Sequence, residues 1–190
     1  WFKSFDANIS VHPASELYIR HAGNVMDVVD LLSGAEMLKG GVPSHEALGT
    51  FGYHFDVRGG IEGLEDRTIS LGLGVVDHLQ PPLFNIGIRH TLVRSLSNLA
   101  VISPASGFDG FASSAGRIVE FNVAVGQGVG IAMALATLGD RPLNQMTNQD
   151  VRSVLAATGK LTRSYPITYA QASAQLLALE TTLTDNVAIA

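Results

Sequence analysis

The stretch "GRIVEFNVAVGQGVGIAMALATLG", residues 116–139, constrains the fold more than any other part of the chain. It supports two readings. In one, "IVEFNVAV" is a strand, "GQGVG" a phosphate-cradling turn and "IAMALATLG" the opening of a helix. In the other, the whole stretch is a single helix whose glycines allow close packing. A dinucleotide fingerprint needs G-x-G-x-x-G between strand and helix, with an acidic residue about 20 positions further on for the ribose. Gly126 and Gly128 fit, but Ile131 occupies the third position, where a β-branched side chain holds helix and strand apart. The downstream "TNQD" reads as a helix start, not as the end of a second strand. The spacing therefore predicts one helix from about Ile118 to Leu138. On it Asn122, Gly126, Gly130 and Ala134 recur at i, i+4 and form a ridge of small residues. Each interior glycine costs a helix about 1 kcal/mol. That cost leads us to expect another backbone, or a flat ligand, lying close against the ridge.

Composition narrows the partners. Only 15% of residues are charged and 46% are hydrophobic, with a net charge of −5. Without a basic run to neutralise phosphates, a nucleic-acid partner is not expected. The chain has no cysteine, which excludes disulfides, thiolate metal sites and cysteine nucleophiles. The longest apolar run, Val123 to Leu138, is shorter than the roughly 20 residues a bilayer crossing needs, so no membrane span is expected. The start at Trp1, with neither Met nor a signal-peptide pattern, reads as a cut end; a cytoplasmic setting is favoured.

Local signals divide the rest of the chain. "SELYIRHAG" (15–23), "FGYHFDVRGG" (51–60) and "DRTISLGLGVVDHL" (66–79) read as strands. "LSGAEMLKGG" reads as a short helix with Ser33 as N-cap, Glu36 completing a capping box and Gly40 as stop. "QPPL" marks a boundary near residue 80. Beyond it "LFNIGIRH" reads as a strand and "SNLAVIS" as a short buried strand, followed by the loop "PASGFDGFASSAG". "TNQDVRSVLAATG" is a helix capped by Thr147 and ended by Gly159, and "TYAQASAQLLALETTL" a last amphipathic helix. The fold class expected is α+β. A partial antiparallel substrate-domain sheet would occupy residues 1–80, and a strand, loop and helices would occupy 81–190.

With this order in place, residues 18–161 resemble the C-terminal part of bacterial FAD-dependent oxidoreductases of the glutathione-reductase-like superfamily. Some members of that group carry xanthan-lyase-like names. The motifs carrying the resemblance are "IGIRHTLV", "NLAVIS", Arg117, "GQGVG" and "VRSVLAATG". The resemblance implies FAD as cofactor. It also implies a long helix whose N-terminus faces the flavin pyrimidine ring, where N–H groups and the helix dipole favour negative charge. Carried over by position, Arg117, Ile118 and Val119 would face the flavin, and Gly126 would let the helix pack on the nucleotide-binding core. Ser103 and Pro104 would open the loop that passes the ribityl and pyrophosphate groups. The family usually has glycine and a polar residue at those two positions. Its glycine fingerprint has no counterpart in these residues, so the resemblance implies a partner, a missing N-terminal FAD-domain segment. A small-molecule substrate is implied as well, and the fragment alone would be inactive.

The catalytic candidates are Arg89, His90 and His78. Arg89 and His90 follow a strand pattern and could face the active cavity; the blander reading is a solvent-facing pair. His78 beside Asp77 has the imidazole suited to proton transfer near neutral pH, although neighbours on a strand point to opposite faces. His54 and Asp56 share a strand face, but no third ligand stands at metal-like spacing. Asp109, Ser113 and Ser114 read as turn formers. A serine hydrolase is excluded by the missing G-x-S-x-G elbow. Two further classes compete with the flavoenzyme: an autonomous binding module that forms a homo-oligomer, and a polysaccharide-lyase-like protein.

Overall fold

A computed structural model describes residues 25–54, 83–161 and 177–181. His78, the expected strands at 15–23 and 66–79, and most of the one at 51–60 lie outside the described residues. The chain is α+β. In order, β1 (Leu32–Ser33) leads into α1 (Gly34–Leu38), followed by β2 (Gly49–Gly52), β3 (Leu83–Ile86) and β4 (Phe108–Asp109). Then come α2 (Ala112–Gly116), α3 (Val119–Leu138), a 3-10 turn (Leu143–Gln145) and α4 (Asn148–Ala157). Residues 177–181, here α5, are also helical.

The strands are short and pair across long sequence separations. β1 runs parallel to β4, Leu32 opposite Phe108. β2 runs antiparallel to β3, Gly49 opposite Ile86 and Gly52 opposite Leu83. The described residues on either side of residue 80 therefore share one core, which includes Leu32, Leu38, Leu48, Phe84, Ile88, Phe108, Phe121 and Val151. Phe121, in the first turn of α3, is its hub: the rings of Phe51, Phe84 and Phe108 lie 5.3, 6.1 and 5.8 Å from it.

The expected capping box forms. The Ser33 hydroxyl accepts from Glu36 N–H while the Glu36 carboxylate accepts from Ser33 N–H. Thr147 and Asp150 repeat the arrangement at the start of α4. Gly40 and Gly159 take positive φ, 107° and 67°, and stop their helices as glycine can. Just past the Gly139 C-cap of α3, Asp140 takes a left-handed φ of 49° while Arg141 N–H reaches back to Ala136 O.

Two expectations are corrected. "SNLAVIS" forms no continuous strand: it makes an isolated bridge, Leu92 with Ala100, and leaves Leu99 and Ile102 exposed. Its partner, the turn after Ile88, is too short to extend a ladder. The small-residue ridge of α3 does not lie against a described layer either. The close approach falls at Gly128, where an added Cβ would lie 2.7 Å from Ile88 Cγ2 and 3.1 Å from Leu48 Cδ1. At Gly130 nothing stands within 4 Å, and Ala134 is exposed. The ridge points outward because Phe121, Val125, Val129, Ala132 and Ala136 claim the core face.

α3 is one continuous 20-residue helix. Among the described residues it is the one helix long and apolar enough to cross a membrane. That is weak support for a span, since its inner face is built into the aromatic core.

Candidate functional site

Two places bring sequence-predicted residues together, and Phe121 links them. The first is a cleft of about 190 Å³ lined by Asp30, Glu36, Glu46, Arg89, His90 and Asn148 among others. Arg89 arrives there from the turn after β3. Its Nε donates to Asp30 in an ion pair, and its Nη1 lies 3.4 Å from the Met146 carbonyl. Asn148 is buried and braces the cleft floor, accepting from Ile88 N–H at 2.9 Å and donating to Glu46 at 3.3 Å.

His90 stands at the back of the cleft, 5% exposed, its ring 5.0 Å from Phe108 and 5.7 Å from Phe121. Its Nε2 is sealed from solvent and meets no hydrogen-bond partner. Burial without an acceptor or a carboxylate penalises the imidazolium, so its pKa falls to about 3. Near neutral pH His90 is thus an uncharged aromatic wall, not a group poised to shuttle protons. Ring burial depends on contacts far along the chain, and the sequence held no signal of it.

The second place is the N-terminus of α3. Asn122 donates through Nδ2 to the carbonyls of Gly116 and Ile118, which sets the turn between α2 and α3. Ile118, the N-cap, is extended (φ −84°, ψ 134°) and has no side chain to bond the first-turn N–H groups. Val119 beside it is 72% exposed. Arg117 lies over the ring of Tyr53, Cζ 5.4 Å from its centroid, and Tyr53 stacks on His54 at 4.1 Å. The structure thus brings Arg117, Ile118 and Val119 to one uncapped helix end. Tyr53 and His54, which sequence reasoning did not connect with that end, join it through the β2–β3 pairing.

The loop opened by Ser103 and Pro104 is closed by hydrogen bonds of its own. Ser103 N–H bonds the Ser106 hydroxyl at 3.3 Å, and Ala105 N–H bonds the Ser103 hydroxyl at 3.0 Å. Ser106 N–H bonds Ser103 O, and Gly107 N–H bonds His90 O. Pro104 has no N–H to offer. The backbone N–H groups of Ser103, Ala105, Ser106 and Gly107 are thus all engaged within the protein. Gly126 packs beside this segment, where an added Cβ would sit 3.9 Å from Ile102.

Among the described residues no group of three or more histidine, aspartate or glutamate side chains could hold a metal ion. Among the described residues, the α+β fold carries a small cleft with three carboxylates and Arg89, and a long helix whose N-terminus has no side-chain cap. No family model, curated protein or solved structure matches the chain.

Proposed function

We propose that the chain is the C-terminal portion of an FAD-dependent oxidoreductase that acts on a small-molecule substrate. The observation that carries the reading is the exposed, uncapped N-terminus of α3 with Arg117 beside it. Flavin, when bound, would supply hydride transfer at N5. This chain's part would be electrostatic: first-turn N–H groups of α3 and the Arg117 guanidinium would favour negative charge at the pyrimidine edge. Asn122 holds the turn that aims them, and Tyr53 supports the Arg117 side chain from one face. The pyrophosphate would be held mainly by an N-terminal FAD-domain segment, since the backbone N–H groups of the Ser103–Gly107 loop are engaged within the protein.

The test is flavin content. The complete protein containing this chain should purify yellow or take up FAD with a rise in melting temperature, and Arg117→Ala should weaken uptake. A complete protein that takes up no flavin overturns the reading.

The exposed apolar side chains Val119, Val123, Met133 and Leu138 of α3, with Leu96, Leu99 and Ile102, favour a second reading, a homo-oligomerising module. A concentration-dependent dimer without flavin uptake would select it.

A further inference from the structure

A carboxylate buried among backbone donors is the most unusual group in the described chain. Glu180, on α5, is 2% exposed, and its neighbour Leu179 is fully buried in the core. Its Oε2 accepts from Phe111 N–H at 2.8 Å, just ahead of α2. The N–H groups of Gly34 and Ala35, at the start of α1, lie near enough to favour its ionised form as well. The seat is cut to the carboxyl group: a Cβ on either Gly34 or Gly110 would run into it. Gly110 moreover takes φ +53°, a conformation suited to glycine. β1 and β4 pair immediately ahead of α1 and of Gly110, so one carboxyl group bridges the exits of both strands.

We propose that Glu180 is a protonation-controlled latch: seated as the neutral acid it holds α5 onto the α1–α2 junction, and on ionisation it lets α5 go. Burial sets the direction. Desolvation of the sealed carboxyl group is the largest effect and disfavours the ionised form; the N–H groups, Phe111 first, oppose it, and Asp109 on β4 adds repulsion. Of the other charged groups on the packed elements, Glu36 of α1 is turned to the Ser33 cap and Arg117 after α2 lies over Tyr53. The net result is a pKa pushed up from 4.5 to about 7. In the released state the group is solvated and titrates near its ordinary value. Between about pH 4.5 and 7 the seated state holds a proton that the released state does not. Release therefore becomes more favourable by about tenfold per pH unit across that window, roughly 300-fold in all, and levels off above it. α2 runs directly into Arg117 and the α3 N-terminus, so the latch governs the element that presents the candidate site. The latch itself does not rest on the flavin reading.

Hydrogen exchange of the 190-residue chain tests it. After correction for intrinsic rates, protection of the Gly34, Ala35 and Phe111 amides should fall steeply from pH 4.5 to 7 and then plateau. Glu180→Gln, which cannot ionise, should retain protection with no such pH dependence. Glu180→Ala should lose protection at every pH. A flat wild-type profile, or the wild-type slope persisting in Glu180→Gln, overturns the proposal. The comparison of wild type with Glu180→Gln decides the matter even if Glu180→Ala does not fold.

Discussion

The three glycines of α3 allow the packing argument to be tested at adjacent sites with a single methyl group. Gly130→Ala adds a Cβ into open space on an exposed helix face. It should stabilise the chain by about 1 kcal/mol, the difference in helix propensity. Gly128→Ala carries the same propensity gain, but its Cβ would stand 2.7 Å from Ile88 Cγ2, 3.1 Å from Leu48 Cδ1 and 3.7 Å from Val151 Cγ1. Ile88 has no room to yield: it is fully buried and its N–H is tied to Asn148. Overpacking of this kind costs about 1–3 kcal/mol, so the net effect should be a loss of up to about 2 kcal/mol. Gly126→Ala, meeting Ile102 only at 3.9 Å, should behave like Gly130→Ala. Urea unfolding followed by far-ultraviolet circular dichroism reads all three as midpoint shifts at constant slope. A stabilised Gly128→Ala would refute the account of the helix face. In the complete protein, the flavoenzyme proposal expects the sign at Gly130 to reverse, because a nucleotide-binding layer would then cover the ridge.

Titration should expose two opposed groups. His90, neutral when folded and titrating near 6.5 when unfolded, makes stability fall by about 1.4 kcal/mol per pH unit as pH drops from 6.5 toward 3. Glu180 acts with opposite sign between 4.5 and 7, so wild-type stability should be nearly flat from 4.5 to 6.5. Denaturation across pH should reveal the histidine slope in Glu180→Gln and the glutamate slope in His90→Phe. Phe121→Ala, which empties the centre of the aromatic cluster, should cost about 3–5 kcal/mol by chemical denaturation. Asp140→Gly should raise the melting temperature by relieving a left-handed residue, to the extent of about 1 kcal/mol.

How much was legible follows the range of the interactions. The α1 capping box, the Thr147 cap of α4, the glycine stops at Gly40 and Gly159, and the α3 rod all matched the sequence reading, because each is settled by hydrogen bonds within about four residues. Long-range pairing escaped it. Nothing near "SNLAVIS" revealed that its neighbour would be a short turn in place of a strand. Nothing near residue 180 announced that its carboxyl group would be seated between Gly34 and Gly110. Arg117, Ile118 and Val119 could be placed at a helix start from local spacing, whereas Tyr53 reaches them only through the pairing of β2 with β3.

By itself, then, the order of residues determined where helices begin and stop and that α3 must be continuous, since caps, breakers and glycine spacing act over one or two turns. Tertiary structure alone decided which face of α3 is inward, that Gly128 is the tight glycine, and that His90 is sealed among phenylalanines. Those outcomes depend on which distant surfaces exclude water together, and no local pattern encodes that choice.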